Sequence, residues 1–161
     1  MEVEFEITRK DYLDFSTYHF FKHQVGSQII TAVAGFFLFI FLIFKDRTGI
    51  NLLTLLFLGV FYFSCYGLYI FFWLLHTKNI PQDKGSILGL KKLDFTEEAI
   101  NFSDQNSNGS YKWATIMNTA ETKKAFYLYC DSNMAIVVPK RVFTDSSKLD
   151  EFRTMLKRRS L

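Results

Sequence analysis

Three histidines and two cysteines are the only imidazoles and thiols in this chain of 161 residues. His19, His23 and His76 stand at no metal-like spacing from a cysteine or carboxylate, so no metal is expected. Cys65 falls in a hydrophobic run and Cys130 in a predicted strand, so the two are not expected to pair, and nothing indicates an oxidising compartment. There is no glycine-rich phosphate loop, no Gly-x-Ser-x-Gly elbow and no nucleophile with an obvious base. With every histidine in or beside the hydrophobic region, acid–base chemistry elsewhere would fall to carboxylates. The chain is therefore read as no enzyme, with no cofactor.

Charge is absent from two long stretches, Val25–Phe44 and Thr48–Leu75. About 20 apolar residues span a bilayer core, so each stretch is long enough to cross one. The second, helical throughout, would measure about 42 Å at 1.5 Å per residue and must tilt or protrude. Tyr66, Tyr69, Trp73 and His76 near its end are of the kind that settles at headgroup level. A cleaved signal peptide is not expected, because an acid-leaning arm precedes the first stretch and the small pair Ala32 and Ala34 lies near its start. Neither stretch holds an ionisable aspartate, glutamate, lysine, arginine or histidine before His76, which argues against a pump or pore. Gly35, Gly59 and Gly67 are small residues that let helices approach closely, either within the hairpin itself or at a dimer face.

Lys45-Asp46-Arg47-Thr48-Gly49 is a polar turn that makes the pair an antiparallel hairpin. Arg9, Lys10 and Lys22 precede the hairpin, and Lys78, Lys84, Lys91 and Lys92 follow it, against Lys45 and Arg47 in the turn. The positive-inside bias then predicts both termini in the cytoplasm. Four regions follow: an N-terminal strand and amphipathic helix (1–24), the hairpin (25–76, spans about 25–44 and 50–75), a linker (77–87) and a C-terminal domain (88–161).

Glu2–Ile7 alternates charged and apolar residues, as a half-buried strand does. Thr8 and Asp11 form a capping-box-like start for a helix carrying Tyr12, Phe15 and His19 at helical spacing. The strand cannot stand alone and should join a sheet built by the C-terminal region. There, strands are expected over Leu90–Phe95, Ala99–Ser103, Ile116–Thr122, Ala125–Cys130 and Met134–Val138. Thr96–Glu98, Gln105–Gly109 and Asp131–Asn133 are read as turns. Leu149, Phe152 and Leu156 mark a closing helix capped by Asp145 or Ser146, with Lys157-Arg158-Arg159 after it. The fold class expected is membrane α+β, a two-helix hairpin with a small antiparallel sheet or open barrel closed by a C-terminal helix.

The region from Thr77 onward holds 14 Lys/Arg and 10 Asp/Glu, a net +4 that suits either anionic headgroups or an ordinary solvated surface. Trp113 is expected to fill the core, the alternative being a ligand-facing aromatic. Tyr127 and Tyr129 point opposite to Phe126, Leu128 and Cys130, so one set faces outward or toward a partner. Lys140 and Arg141 either bind an anionic group or solvate a strand end. Lys157, Arg158 and Arg159 either touch the inner leaflet or fray into solvent. Dispersed basic residues interleaved with acids do not suggest nucleic acid.

Tyr111-Lys112-Trp113, Glu121–Cys130 with its Phe126-Tyr127-Leu128-Tyr129, and Ile136–Phe143 with Pro139-Lys140-Arg141 resemble the YcxB-like proteins of bacteria. The order of parts along the chain is similar too. The resemblance implies a C-terminal domain like bacterial pleckstrin-homology domains and brings no catalytic residues. Three functions remain open: an adaptor or regulator in the plasma membrane that binds a protein partner, a reader of anionic lipid, and self-protection against a membrane-active peptide. A homo-oligomer is compatible with each.

Overall fold

Apolar alternation at the N-terminus and again in the second half of the chain builds two antiparallel sheets. The computed structural model describes residues 1–45, 51–82 and 85–159. Strand β1 (Glu2–Ile7) buries Val3, Phe5 and Ile7 and exposes its glutamates. It pairs antiparallel with β2 (Gly89–Phe95) from Glu2↔Asp94 to Ile7↔Gly89, so the N-terminal strand does join the C-terminal sheet. β3 (Ala99–Asp104) and β4 (Asn108–Lys112) complete a four-stranded sheet in the order β1-β2-β3-β4. β5 (Asn118–Glu121), β6 (Ala125–Asp131) and β7 (Met134–Pro139) form a second sheet in sequence order.

One core joins the two sheets. Leu93, Phe95 and Ile100 from the first meet Phe126, Leu128 and Val138 from the second, and Phe152 and Leu156 of helix α4 (Ser146–Arg159) close over them. The Phe152 ring, 0% exposed, lies 4.9–5.1 Å from those of Phe95, Phe126 and Phe143. Asp145 caps α4 by accepting from the Ser147 amide at 3.0 Å. Trp113 is buried as expected and donates its indole N–H to the Thr96 carbonyl at 2.9 Å.

Three details differ from the sequence reading. Asn108 and Gly109 lie within β4, not in a turn. A Cβ on Gly109 would come 2.8 Å from the Phe102 ring, so this glycine clears space for an aromatic on the paired strand. The turn is instead held by Asp104, whose carboxylate accepts from the Asn106 and Ser107 amides. Lys157, Arg158 and Arg159 form the last turn of α4 and do not follow it, where their charge complements the helix dipole. The strand expected over Ile116–Thr122 is shorter: β5 covers only Asn118–Glu121, following a 3-10 turn at Trp113–Thr115.

Between β1 and β2 the described residues form three long helices. Thr8 and Asp11 form the expected capping box at the start of α1 (Arg9–His19). The Thr8 amide donates to Asp11 Oδ2 at 2.8 Å, and the Asp11 amide donates to Thr8 Oγ1 at 3.3 Å. A π turn (Phe20–Gln24) carries α1 into α2 (Val25–Lys45). Asn51 caps α3 (Leu52–Asn79) by accepting from the Thr54 amide at 2.9 Å. Of the expected turn Lys45–Gly49, residues 46–49 lie outside the described residues.

Between α2 and α3, Tyr66 donates to Gln28 Oε1 and to the Gln28 carbonyl. Gly35 lies against Tyr62 and Gly59 against Phe36, whereas among the described residues outside its own helix backbone and chain neighbours no atom lies within 4 Å of where a Cβ on Gly67 would sit. Two of the three glycines thus serve packing within the hairpin. By Cα proximity the chain divides into a sheet unit, Met1–Phe15 with Pro81–Leu161, and a helical unit, Ser16–Ile80.

Candidate functional site

Strand β6 is buried on both faces, with Ala125 through Tyr129 all enclosed. Phe126 and Leu128 enter the core, and Tyr127 and Tyr129 point the other way, as strand alternation demands. The second face is also covered. Phe15 of α1 sets its ring edge-on to Tyr127 at 5.2 Å and tilted to Tyr129 at 6.0 Å. Tyr127 and Tyr129 are 2% and 4% exposed, so the surface expected for a partner is occupied by the chain's own N-terminal segment.

Two cations flank that aromatic seat. Arg141, in the 3-10 turn after β7, makes a two-pronged bond to Asp11 at 2.5 and 2.7 Å and donates to the Glu6 carbonyl at 2.7 Å. Lys124, just before β6, bonds both Asp14 carboxylate oxygens at 2.8 and 2.9 Å. Asp11, Asp14 and Phe15 are spaced i, i+3, i+4, which places them on one face of α1. The result is an acidic–aromatic helix face seated on a cation–tyrosine–cation row. Partial burial raises the Asp11 carboxyl pKa, but the bonds from Arg141 and Thr8 outweigh it and hold the carboxyl below its ordinary value. Pairing with Asp11 correspondingly raises the Arg141 guanidinium.

A second network fixes α4 to the second sheet. Glu121 on β5 accepts from Arg153 at 2.7–3.1 Å and from Lys140 at 2.5 Å. Lys140 also lies 5.0 Å from the centre of the Phe126 ring. The Arg153 bonds, with help from Lys140 and against partial burial, pull the Glu121 carboxyl down to about 2. Arg153 also pairs with Asp150 one turn earlier. Lys140 and Arg141, expected to meet an outside anion or to solvate a strand end, instead neutralise carboxylates of this chain. Lys157 and Arg158 are exposed, and the Arg159 guanidinium lies 5.9 Å from the Trp113 ring centre.

At the far end of the first sheet, Lys91 pairs with Asp104 at 2.6 Å beside a polar cavity of about 290 Å³. The Lys91 bond and the Asn106 amide hold Asp104 well below the carboxylate range. Cys65 and Cys130 are both free, and burial pushes the Cys130 thiol up. Among the described residues no three His, Cys, Asp or Glu side chains converge as metal ligands. The His19 and His23 rings stack on each other at 5.1 Å.

The sequence reading missed Asp11, Asp14 and Lys124 as partners of the tyrosine surface, and Glu121 and Arg153 as the α4 tie. The i, i+3, i+4 spacing of Asp11, Asp14 and Phe15 was the available signal.

An antiparallel two-sheet unit closed by a C-terminal helix, joined to two long apolar helices, defines an α+β protein. Within it residues 95–156, from the end of β2 through most of α4, match the model of the family described as YcxB-like protein. That match supports the resemblance read from the residues and leaves β1 and the three preceding helices outside it. No curated protein and no solved structure matches the chain.

Proposed function

We propose that the protein is a non-enzymatic adaptor of bacterial plasma membranes. Its hairpin lies in the bilayer, both termini are cytoplasmic, and a pleckstrin-homology-like sheet unit engages a protein segment. Support for the anchor comes from apolar surface left uncovered. Phe37, Leu53, Phe57 and Val60 are 65–76% exposed, and the most apolar window of α3 has no buried residue. A core helix of a soluble protein would be mostly buried, and so large an apolar surface is stable only against lipid or another apolar partner.

The observation that carries the binding reading is the helix seat, where Tyr127, Tyr129, Arg141 and Lys124 hold an acidic–aromatic helix face. Surfaces of this composition recognise amphipathic helices. The carboxylates that are drawn below their ordinary range each hold a structural bond: Asp11 with Arg141, Asp104 with Lys91, Glu121 with Arg153, and Asp145 as a cap. A general acid or base works best with a pKa near the operating pH, and these groups are tuned away from it.

Lys157, Arg158 and Arg159, together on the last turn of α4, support a second reading in which the unit touches anionic lipid. Affinity capture of the full chain from its own membranes in mild detergent, after in-cell crosslinking, distinguishes them. A stoichiometric protein partner is expected. Recovery of the chain alone, with salt-sensitive binding to anionic vesicles, would overturn the adaptor reading in favour of lipid.

A further inference from the structure

The N-terminal segment on the second sheet is a ligand-like occupant of its own domain. In sequence it is separated from the rest of the sheet unit by residues 16–80. It is held there in two different ways. β1 is fixed by a six-residue antiparallel register with β2. The start of α1 is held by the Arg141–Asp11 and Lys124–Asp14 pairs and by the Phe15 ring over Tyr127 and Tyr129. The cations of those pairs are half-exposed or more, with Arg141 at 52% and Lys124 at 62%. Water and salt screen the Lys124–Asp14 pair, which is weak taken singly, whereas the two-pronged Arg141–Asp11 pair, its carboxylate 12% exposed, is the firmer hold. Beneath them lies a surface of two tyrosines between two cations.

We propose that the start of α1 is an exchangeable latch, and that the seat beneath it is the docking site for a partner helix with two carboxylates three residues apart followed by an aromatic. This rests on the reading of the sheet unit as a protein-binding module and names the chemistry of its partner. The occupant is defined by the segment already seated there: Asp11 and Asp14 for the two cations, and Phe15 for the tyrosines. On exchange β1 stays paired with β2 while the residues from Arg9 to Phe15 lift away. A partner that binds only the open form sees its affinity reduced by the fraction of molecules that are open. Weakening the latch without touching the seat must therefore strengthen binding in trans.

The test uses the full chain in lipid nanodiscs and a fluorescent peptide with the protein's own sequence from Glu6 to His19. Asp11→Asn with Asp14→Asn in the protein leaves the seat intact and is expected to raise peptide affinity about tenfold or more over the unsubstituted chain, because two ion pairs cease to compete. Arg141→Gln with Lys124→Gln also loosens the latch but removes the cations that read the peptide, so binding should fall below detection. A peptide carrying Asp11→Asn and Asp14→Asn should fail on every form of the protein. Asp14→Asn alone, at a side chain 30% exposed, gives a milder form with an intermediate gain should the double variant fold poorly. Equal peptide affinity for the unsubstituted and latch-weakened chains, or no binding to either while thermal melts show both folded, would overturn the exchange. A stoichiometric partner captured through another surface would then leave the adaptor reading standing and discard this site alone.

Discussion

Phe152→Ala should be the most damaging single truncation in the sheet unit. Phe152 is 0% exposed, and its ring is enclosed by Phe95 from the first sheet, Phe126 from the second and Phe143 from the segment before α4. Burying a phenylalanine removes about 150 Å² or more from water. At about 25 cal/mol/Å² that is worth ~4 kcal/mol, of which the alanine methyl retains less than about 1. The three neighbouring rings belong to separate backbone segments and cannot collapse together, so a cavity penalty adds to the loss. The total falls at about 3–5 kcal/mol. In a unit of this size, 1 kcal/mol moves the melting temperature by about 4–8 °C, so a drop of about 12–40 °C follows. Thermal melts of the full chain in detergent, followed by near-ultraviolet circular dichroism, would measure it. Arg158→Ala on the exposed side of the same helix should change stability by less than about 0.5 kcal/mol. A Phe152→Ala shift no larger than that of Arg158→Ala would refute the placement of α4 as the closing element of the core.

Two further perturbations probe the sheet unit. The Glu121 carboxyl is drawn to about 2 from an ordinary 4.5, so its stabilisation is fully present above about pH 4.5 and is lost as pH falls toward 2. Because that side chain is 35% exposed, screening reduces the contribution to about 1–2 kcal/mol; Glu121→Gln should cost that much in urea unfolding at pH 7, and the gap to the unsubstituted chain should close near pH 2. Gly109→Ala would place a methyl 2.8 Å from the Phe102 ring and disturb its stack on Tyr111; about 1–3 kcal/mol should be lost, with faster amide exchange confined to β3 and β4.

Local pattern made the elements legible, and long-range pairing decided what the sequence reading left open. The alternation in Glu2–Ile7 announced a strand that needed a sheet, and Thr8 with Asp11 announced the helix after it. The aromatic strand β6 was equally legible, but period-two alternation says only that its faces differ, not what covers each. Tyr127 and Tyr129 therefore read as an outward surface until Phe15 was found upon them. Arg141 and Asp11 are 130 residues apart, and no spacing rule links such a pair. Asn108-Gly109 misled for another reason: a glycine that makes room for a ring across a ladder looks the same in sequence as one that makes a turn.

The membrane hairpin is the claim on which the account most depends, and labelling of single cysteines tests it directly. With Cys65 and Cys130 changed to serine and one cysteine placed at Asn106, in the turn between β3 and β4, intact cells would be treated with a membrane-impermeant maleimide. The account predicts no labelling until the cells are permeabilised, with the protein retained in membranes after alkaline carbonate washing. Labelling of intact cells, or release of the protein by carbonate, would contradict it.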